Sequence, residues 1–446
     1  MKTKGILSIL IIIVWFAVFL AGCNRQPEQT VSKVNDTGDS QKVELQIAVF
    51  EGGYGKEYWD AVCDEFEKEN PDIEIVMQSN AEIGDIIRPM IIAGNPPDFV
   101  YLPSNNISGV TSALIKDRAL ADITDVMDGI RDKLLPGFLE TRTCQPYDDG
   151  KIYLAPMYYS AMGMWYNMDF FEKNNLKVPE TWDEFFALGK DEKTKGRALF
   201  TYQGIYPAYM ESMILSSIAS SGGVKAMDDC LDYVEGAWRN ENVRKVLENI
   251  AKIGTQGYLL EGSLFMDHTQ AQAEWLKGKA LFIPAGAWIE NEMANTPREE
   301  GFRFGFAAAP VMEQDSERYI YTRIEEMYIP AAAKNIDAAK KFLAFQYSDI
   351  AIDLNAKYAR GVPPVKEAAE KIKAYSSQAV YESYRIFEKG YKPYMGNFSG
   401  VVGTNIVPRD SFYGKIGEVL SGAMSVEEWI EYMEEIGDQV RDGKIE

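Results

Sequence analysis

The sequence predicts an α/β fold divided into two domains or lobes, on three observations. The chain has 446 residues, and a single hydrophobic core stops growing at about 250–300 residues. Its hydrophobic content of 46% is that of an ordinary globular protein. From residue 43 to residue 102, strand and helix patterns alternate, which implies a mostly parallel sheet with right-handed crossovers.

The first residues set the compartment. Lys2 and Lys4 precede an apolar run over 6–21 that ends at Leu20-Ala21-Gly22-Cys23. The run is short for a bilayer span, which needs about 20 apolar residues. A basic start, an apolar middle and small residues at the end read as a secretory signal over 1–22. Leu-Ala-Gly-Cys has the form of a bacterial lipoprotein cleavage site, so Cys23 is the expected lipidated residue and the membrane the expected anchor. Residues 24–42 are polar and have no apolar period, which predicts a flexible tether. Nineteen such residues have an average reach of about 25 Å.

The folded part begins with the strand Val43-Glu44-Leu45-Gln46-Ile47-Ala48-Val49-Phe50, followed by the loop Glu51-Gly52-Gly53-Tyr54-Gly55. That loop lacks the Lys-Ser/Thr of a phosphate loop, so it reads as a place where a ligand approaches backbone. Trp59, Val62, Cys63 and Phe66 recur at i, i+3, i+4 and i+7, an amphipathic helix. A second strand over 73–77, a second helix over 83–93 and a third strand after Gly94-Asn95-Pro96-Pro97-Asp98 complete the alternation. Ligands in such sheets sit beyond the carboxyl ends of strands. Those ends place Glu51, Asn80, Asn105 and Asn106 among the candidate ligand contacts.

The stretch from Ala155 to Phe171 reads as one strand leaving Pro156, crowded with aromatics, then a short helix. After a turn at Pro179, Thr181 and Glu184 form a capping box for a new helix. Met162, Met164, Trp165 and Phe171 are read as core, as are Trp182 and Trp429. Tyr158, Tyr159 and Ser160, at the strand start, are read as site residues. Further on come Tyr206, a Ser-rich helix over 213–220, the strand Leu281-Phe282-Ile283, a helix over 338–347 capped by Asp337, and a last helix capped by Ser425 and Glu428.

Several function classes lose support here. The formal net charge is −21, and cleavage after residue 22 removes Lys2 and Lys4 and no acid, leaving −23. Such a surface repels nucleic acid, so no nucleic acid partner is expected. His268 is the single histidine, which argues against imidazole chemistry. With Cys23 lipidated, Cys63, Cys144 and Cys230 allow at most one disulfide, and no CxxC spacing supports a metal or redox site. No cofactor is expected.

Several strings in order resemble the extracellular solute-binding proteins of family 1, the sugar receptors of ABC importers. They are the Gly-rich loop after the first strand, Gly94-Asn95-Pro96-Pro97-Asp98, Pro156 with Tyr166-Asn167-Met168-Asp169, Pro179-Glu180-Thr181-Trp182-Asp183-Glu184, and Gly278-Lys279-Ala280 followed by Gly286-Ala287-Trp288. The resemblance runs from about Val43 to Pro363. It implies a two-lobed periplasmic-binding-protein-like fold, each lobe a mostly parallel sheet flanked by helices. Three chain crossings then fall near Pro156, Pro284 and Ser348. One lobe would take residues 43–156 and 285–347, the other 157–284 and 348–446.

The function implied is that of a monomeric, lipid-anchored, non-catalytic receptor that delivers a carbohydrate to the membrane subunits of an ABC permease. A pyranose offers a C–H face to an aromatic ring and a hydroxyl edge to paired donors and acceptors. Tyr158, Tyr159, Tyr206 and Trp288 are the candidates for stacking. Asn80, Asn105, Asn106, Ser160, Glu325 and Arg360 are those for polar contacts, with Glu51 contributing from its loop. Disaccharide receptors of the family often carry an acid near the strand-start positions, where this chain has none, so the identity of the sugar stays open. Two other readings compete. A secreted glycan-degrading enzyme needs two carboxylates across a scissile bond, and no motif singles out a pair. A same-fold receptor for a polyamine, metal or peptide would want clustered carboxylates at strand ends, which the sequence lacks.

Overall fold

The computed structural model describes residues 42–442, apart from 53, 105, 107, 148, 195 and 400–406. The expected signal, the lipidated Cys23 and nearly all of the tether lie outside the described residues, as does Asn105. Among the described residues, ten strands run in chain order: β1 (Val43–Phe50), β2 (Ile73–Asn80), β3 (Phe99–Tyr101), β4 (Ala155–Ala161), β5 (Gly163–Asn167), β6 (Ala198–Phe200), β7 (Ala280–Ala285), β8 (Phe304–Ala307), β9 (Tyr319–Tyr328) and β10 (Lys392–Tyr394).

They form two sheets. The first has the order β10-β9-β3-β1-β2, with β4 also paired to β9. β1 lies parallel to both β2 and β3, with Val43 opposite Ile73 and Ile47 opposite Phe99. Buried on both faces, it packs Leu45, Ile47 and Val49 into one cluster and Ala48 into another with Ile83, Ile87 and Val100. The helix Glu57–Glu69 makes the first crossover and buries Trp59, Val62, Cys63 and Phe66, the face that the spacing predicts. β2, at the sheet edge, alternates buried or half-buried with exposed positions.

Asp98 shows what the Pro-Pro-Asp string does. Its buried carboxylate accepts from the Gln46 amide at 3.0 Å and from the Lys334 and Asn335 amides at 2.9 and 2.8 Å. One charge thus ties β1 to the turn that starts the helix Ile336–Phe345. That helix begins two residues earlier than expected, with Asp337 in its first turn and Asn335 at the cap position.

The second sheet has the order β6-β7-β5-β8. β5 is antiparallel to both β7 and β8, and only β6 and β7 run parallel, where a mostly parallel sheet is expected. The stretch read as one strand is two. β4 belongs to the first sheet and β5 to the second, with Met162 between them. Gly163 permits the close approach of β8, since a Cβ there would stand 2.4 Å from the Ala307 carbonyl oxygen. Tyr158 and Tyr159 accordingly sit mid-strand and almost fully buried.

The Ser-rich helix Glu211–Gly222 is buried on nearly every side. Its hydroxyls satisfy the backbone beside it. Ser216 accepts from the Tyr321 amide at 2.8 Å, Ser220 from the Tyr319 amide at 2.9 Å, and Ser217 donates to the Pro310 carbonyl at 2.9 Å. The last helix, Val426–Arg441, has the expected Ser425–Glu428 capping box and buries Trp429, Met433 and Ile436. Cys63, Cys144 and Cys230 are all free and buried, so no disulfide joins them. Burial pushes the Cys144 thiol up to about 12.

Candidate functional site

A cavity with a volume of about 850 Å³, near the top of the range for small-molecule sites, opens among the described residues. A second, of about 320 Å³, shares four lining residues with it: Tyr54, Ser160, Trp288 and Glu325. Each of the four comes from a different element. Ser160 lies near the end of β4, just before the chain passes from the first sheet to the second at Met162. Glu325 is on β9, opposite Tyr158 in register. Tyr54 stands in the loop after β1, its ring centroid 4.2 Å from that of Tyr158. Trp288 follows β7 through Gly286, where a Cβ would lie 2.1 Å from the indole. Only glycine lets the ring fold back over its own turn.

The walls hold polar groups of three kinds. Three carboxylates have protein donors: Glu325 accepts from the Tyr101 hydroxyl, Glu290 from the Ser377 hydroxyl, and Glu292 from Gln272 at 2.9 Å with His268 Nε2 at 3.1 Å. Burial pushes the Glu325 carboxyl up to about 6 and raises that of Glu290 as well. Arg323, opposite Ser160, is tied to the buried Glu211 at 2.9 Å, and Arg409 braces the same carboxylate at 2.7 Å. Among the described residues of the walls, three polar atoms are buried without a partner: Tyr158 Oη, Ser160 Oγ and Arg323 Nε. Such groups carry a desolvation cost that a hydrogen-bonding ligand removes.

Arg360 lines the larger cavity as an exposed cation. It has a left-handed backbone, φ 57°, and its amide donates to Asn355 O at 2.8 Å. Gly361 follows so closely on Tyr158 that a Cβ would stand 2.5 Å from the ring.

The structure sorts the sequence candidates. Ser160, Trp288, Glu325 and Arg360 line the larger cavity, and Asn106, Tyr158 and Tyr159 line the smaller. Three others lie elsewhere. Asn80 uses its side chain to accept from the Glu82 amide at 2.8 Å, capping a turn. Glu51 accepts from the Ser79 hydroxyl at 3.2 Å. Tyr206 is 48% exposed, with its ring 5.6 Å from that of His268. The sequence reading missed Tyr54, Glu290, Arg323, Tyr375 and Tyr384 as lining residues. Tyr54 could have been found, since it sits in the Gly-rich loop already singled out. Tyr375 and Tyr384 lie in the C-terminal region, where no string carries a signal.

The profile of the family described as bacterial extracellular solute-binding protein matches residues 52–352. The chain belongs to this family. Among curated relatives, it is 24% identical to the diacetylchitobiose binding protein NgcE of Streptomyces coelicolor, over 93% of this chain and 89% of that protein. It is 23% identical to the multiple sugar-binding protein of Streptococcus mutans, over 77% of this chain and 79% of that one. Among solved structures, the apo form of RafE from Streptococcus pneumoniae aligns with a TM-score of 0.73 at 19% identity, covering 91% of this chain and 99% of that one. A chitin oligosaccharide binding protein aligns with a TM-score of 0.66 at 17% identity, covering 90% of this chain and all of the other. These structures establish the two-lobed fold that the sequence implies.

Proposed function

We propose that this protein is the substrate-binding component of an ABC importer, taking a sugar or oligosaccharide into the cavity around Ser160 and Trp288 and passing it unaltered to the permease. The observation that carries this reading is the cavity itself. An indole, five tyrosine rings and buried, unpartnered polar atoms converge there, with both sheets contributing. Rings meet the C–H faces of a pyranose, and amides, carboxylates and the Ser160 hydroxyl meet its edge. The sugar and oligosaccharide ligands named for NgcE, for the Streptococcus mutans protein and for the chitin oligosaccharide binding protein support the same class.

The rest of the proposal concerns how the receptor is held. Cys23, lipidated after loss of residues 1–22, anchors a monomer to the outer face of the membrane, and the tether lets it reach the permease. We place the lobes along the expected division except where pairing and packing move it: β4 through Ala161 and β10 count with the first lobe, as does the helix Asp349–Tyr358 packed on Glu57–Glu69, and β8, hydrogen-bonded to β5, counts with the second.

Calorimetry of the mature protein against mono- and oligosaccharide panels tests the function. We expect binding with release of unaltered ligand, and Trp288→Ala should lose at least tenfold in affinity. A panel with no binder, or new products released from the glycans, would overturn the reading. Cys23→Ala should free the protein into the medium, as read by fractionation.

A further inference from the structure

Every other described arginine commits its guanidinium to an ion pair, a hydrogen bond or an aromatic ring. Arg360 alone among the described arginines does not, and it lines the 850 Å³ cavity. In a chain of net charge −21, acids are in large excess over bases, so a cation without an acid partner is itself informative.

The backbone adds a second, independent observation. The helix Asp349–Tyr358 is closed by the Ala359 and Arg360 amides, which both donate to Asn355 O, at 3.0 and 2.8 Å. A left-handed residue at a helix end is usually glycine, which takes that conformation without strain. Here the position holds Arg360 at φ 57°, and the glycine comes one residue later. The turn alone would be better served by a residue with no side chain; the guanidinium is what the cavity wall gains.

We infer that the ligand is an acidic saccharide, whose carboxylate is gripped by the Arg360 guanidinium at the wall of the larger cavity. This deepens the receptor reading above and rests on it. The guanidinium fork matches a carboxylate with two parallel N–H···O bonds, a recognition that a lone hydroxyl cannot complete. Tyr375, on the same cavity wall and 46% exposed, offers a ring to the sugar that bears the acid. The three carboxylates on the walls do not forbid an anion. Glu290, Glu292 and Glu325 each accept from a donor of the protein, which occupies them away from Arg360.

The test uses matched pairs: di- and trisaccharides containing galacturonic or glucuronic acid, and their neutral galactose and glucose counterparts. Each is titrated into the mature protein by calorimetry. The acidic member should bind at least tenfold tighter than its neutral partner, and the ratio should shrink as salt is raised. Arg360→Gln and Arg360→Gly should both bring the ratio close to one. Arg360→Gly should melt no lower than the parent protein, which separates a lost contact from a damaged fold. A ratio at or below one in the parent protein, or a ratio that both variants preserve, overturns the inference and leaves the receptor reading standing. Absence of binding by both series overturns the two together.

Discussion

Glu325 and Glu326 are neighbours on β9 and meet different partners. Glu325 faces the cavity and accepts from the Tyr101 hydroxyl; the buried Glu326 accepts from the Ser104 amide at 2.8 Å and from its hydroxyl at 2.9 Å. Burial pushes the two carboxyls up to about 6 and about 7. A carboxyl in the unfolded chain titrates at about 4.3. Between these values the folded state binds more protons than the unfolded state, so stability falls as pH rises. The contribution of these groups is therefore complete below the unfolded value and is lost as pH climbs through 6 to 7. Glu325→Gln keeps an acceptor for Tyr101 and removes the titration. We expect it to flatten the loss of stability between pH 5 and pH 8 by about 1 kcal/mol. Urea unfolding of both proteins at the two pH values checks this, and parallel pH dependences would refute it.

The candidate site was partly legible at this scale. Trp288 could be named because it stands in the string Gly286-Ala287-Trp288, whereas Ser160 is expected at a strand start and is found near the strand end instead. Asn80 could not be told from a ligand contact, because the amide that suits a sugar hydroxyl equally suits the Glu82 backbone. Tyr384 was invisible for another reason: its carbonyl takes the Tyr159 hydroxyl at 2.9 Å, a contact between residues 225 apart in sequence.

Among the elements, those whose signals are local were read well. The helix Glu57–Glu69 follows from its apolar spacing. The box at Thr181 follows from its residues: the Glu184 amide donates to Thr181 Oγ1 at 3.3 Å and the Thr181 amide donates back to Glu184 at 3.2 Å. The split between β4 and β5 was not read, because both are apolar and nothing between them but Met162 marks the change of sheet. The antiparallel pairing of β5 is likewise set by β7 and β8, more than a hundred residues away. The last helix gives a test of the local kind. Ser425 accepts from the Glu428 amide at 3.2 Å while Glu428 accepts from the Ser425 amide at 2.8 Å. Ser425→Ala removes one half of that exchange and should cost about 1 kcal/mol of stability. The helix also holds Glu434, which takes the Gly236 and Trp238 amides at 2.8 and 2.9 Å. Fraying of the first turn alone should leave those bonds intact, so amide exchange is expected to quicken at residues 426–429 and not at Trp238. Equal loss of protection at both would show that the cap supports the whole packing unit.

For the whole molecule, the question is what ligand does to the arrangement of the two sheets. The chain passes from the first sheet to the second at Met162, returns between β8 and β9, and after β10 packs its last helices on the core of the second sheet. Few residues therefore need to change conformation for one half to turn against the other. A ligand held by Ser160 and Glu325 from the first sheet and by Trp288, next to β7 of the second, binds best where both sets reach it at once. It shifts the population toward that state only by its difference in affinity for the two. At a free concentration a hundred times Kd, a ligand specific to the folded state adds about 2.7 kcal/mol of stability. We expect that gain in thermal unfolding together with a smaller radius of gyration by X-ray scattering. Trp288→Ala removes the second half's contact, so at matched saturation it should compact less even where ligand still binds. Stabilisation with no change in scattering would mean that the halves are already closed before ligand arrives, and that affinity is set without movement.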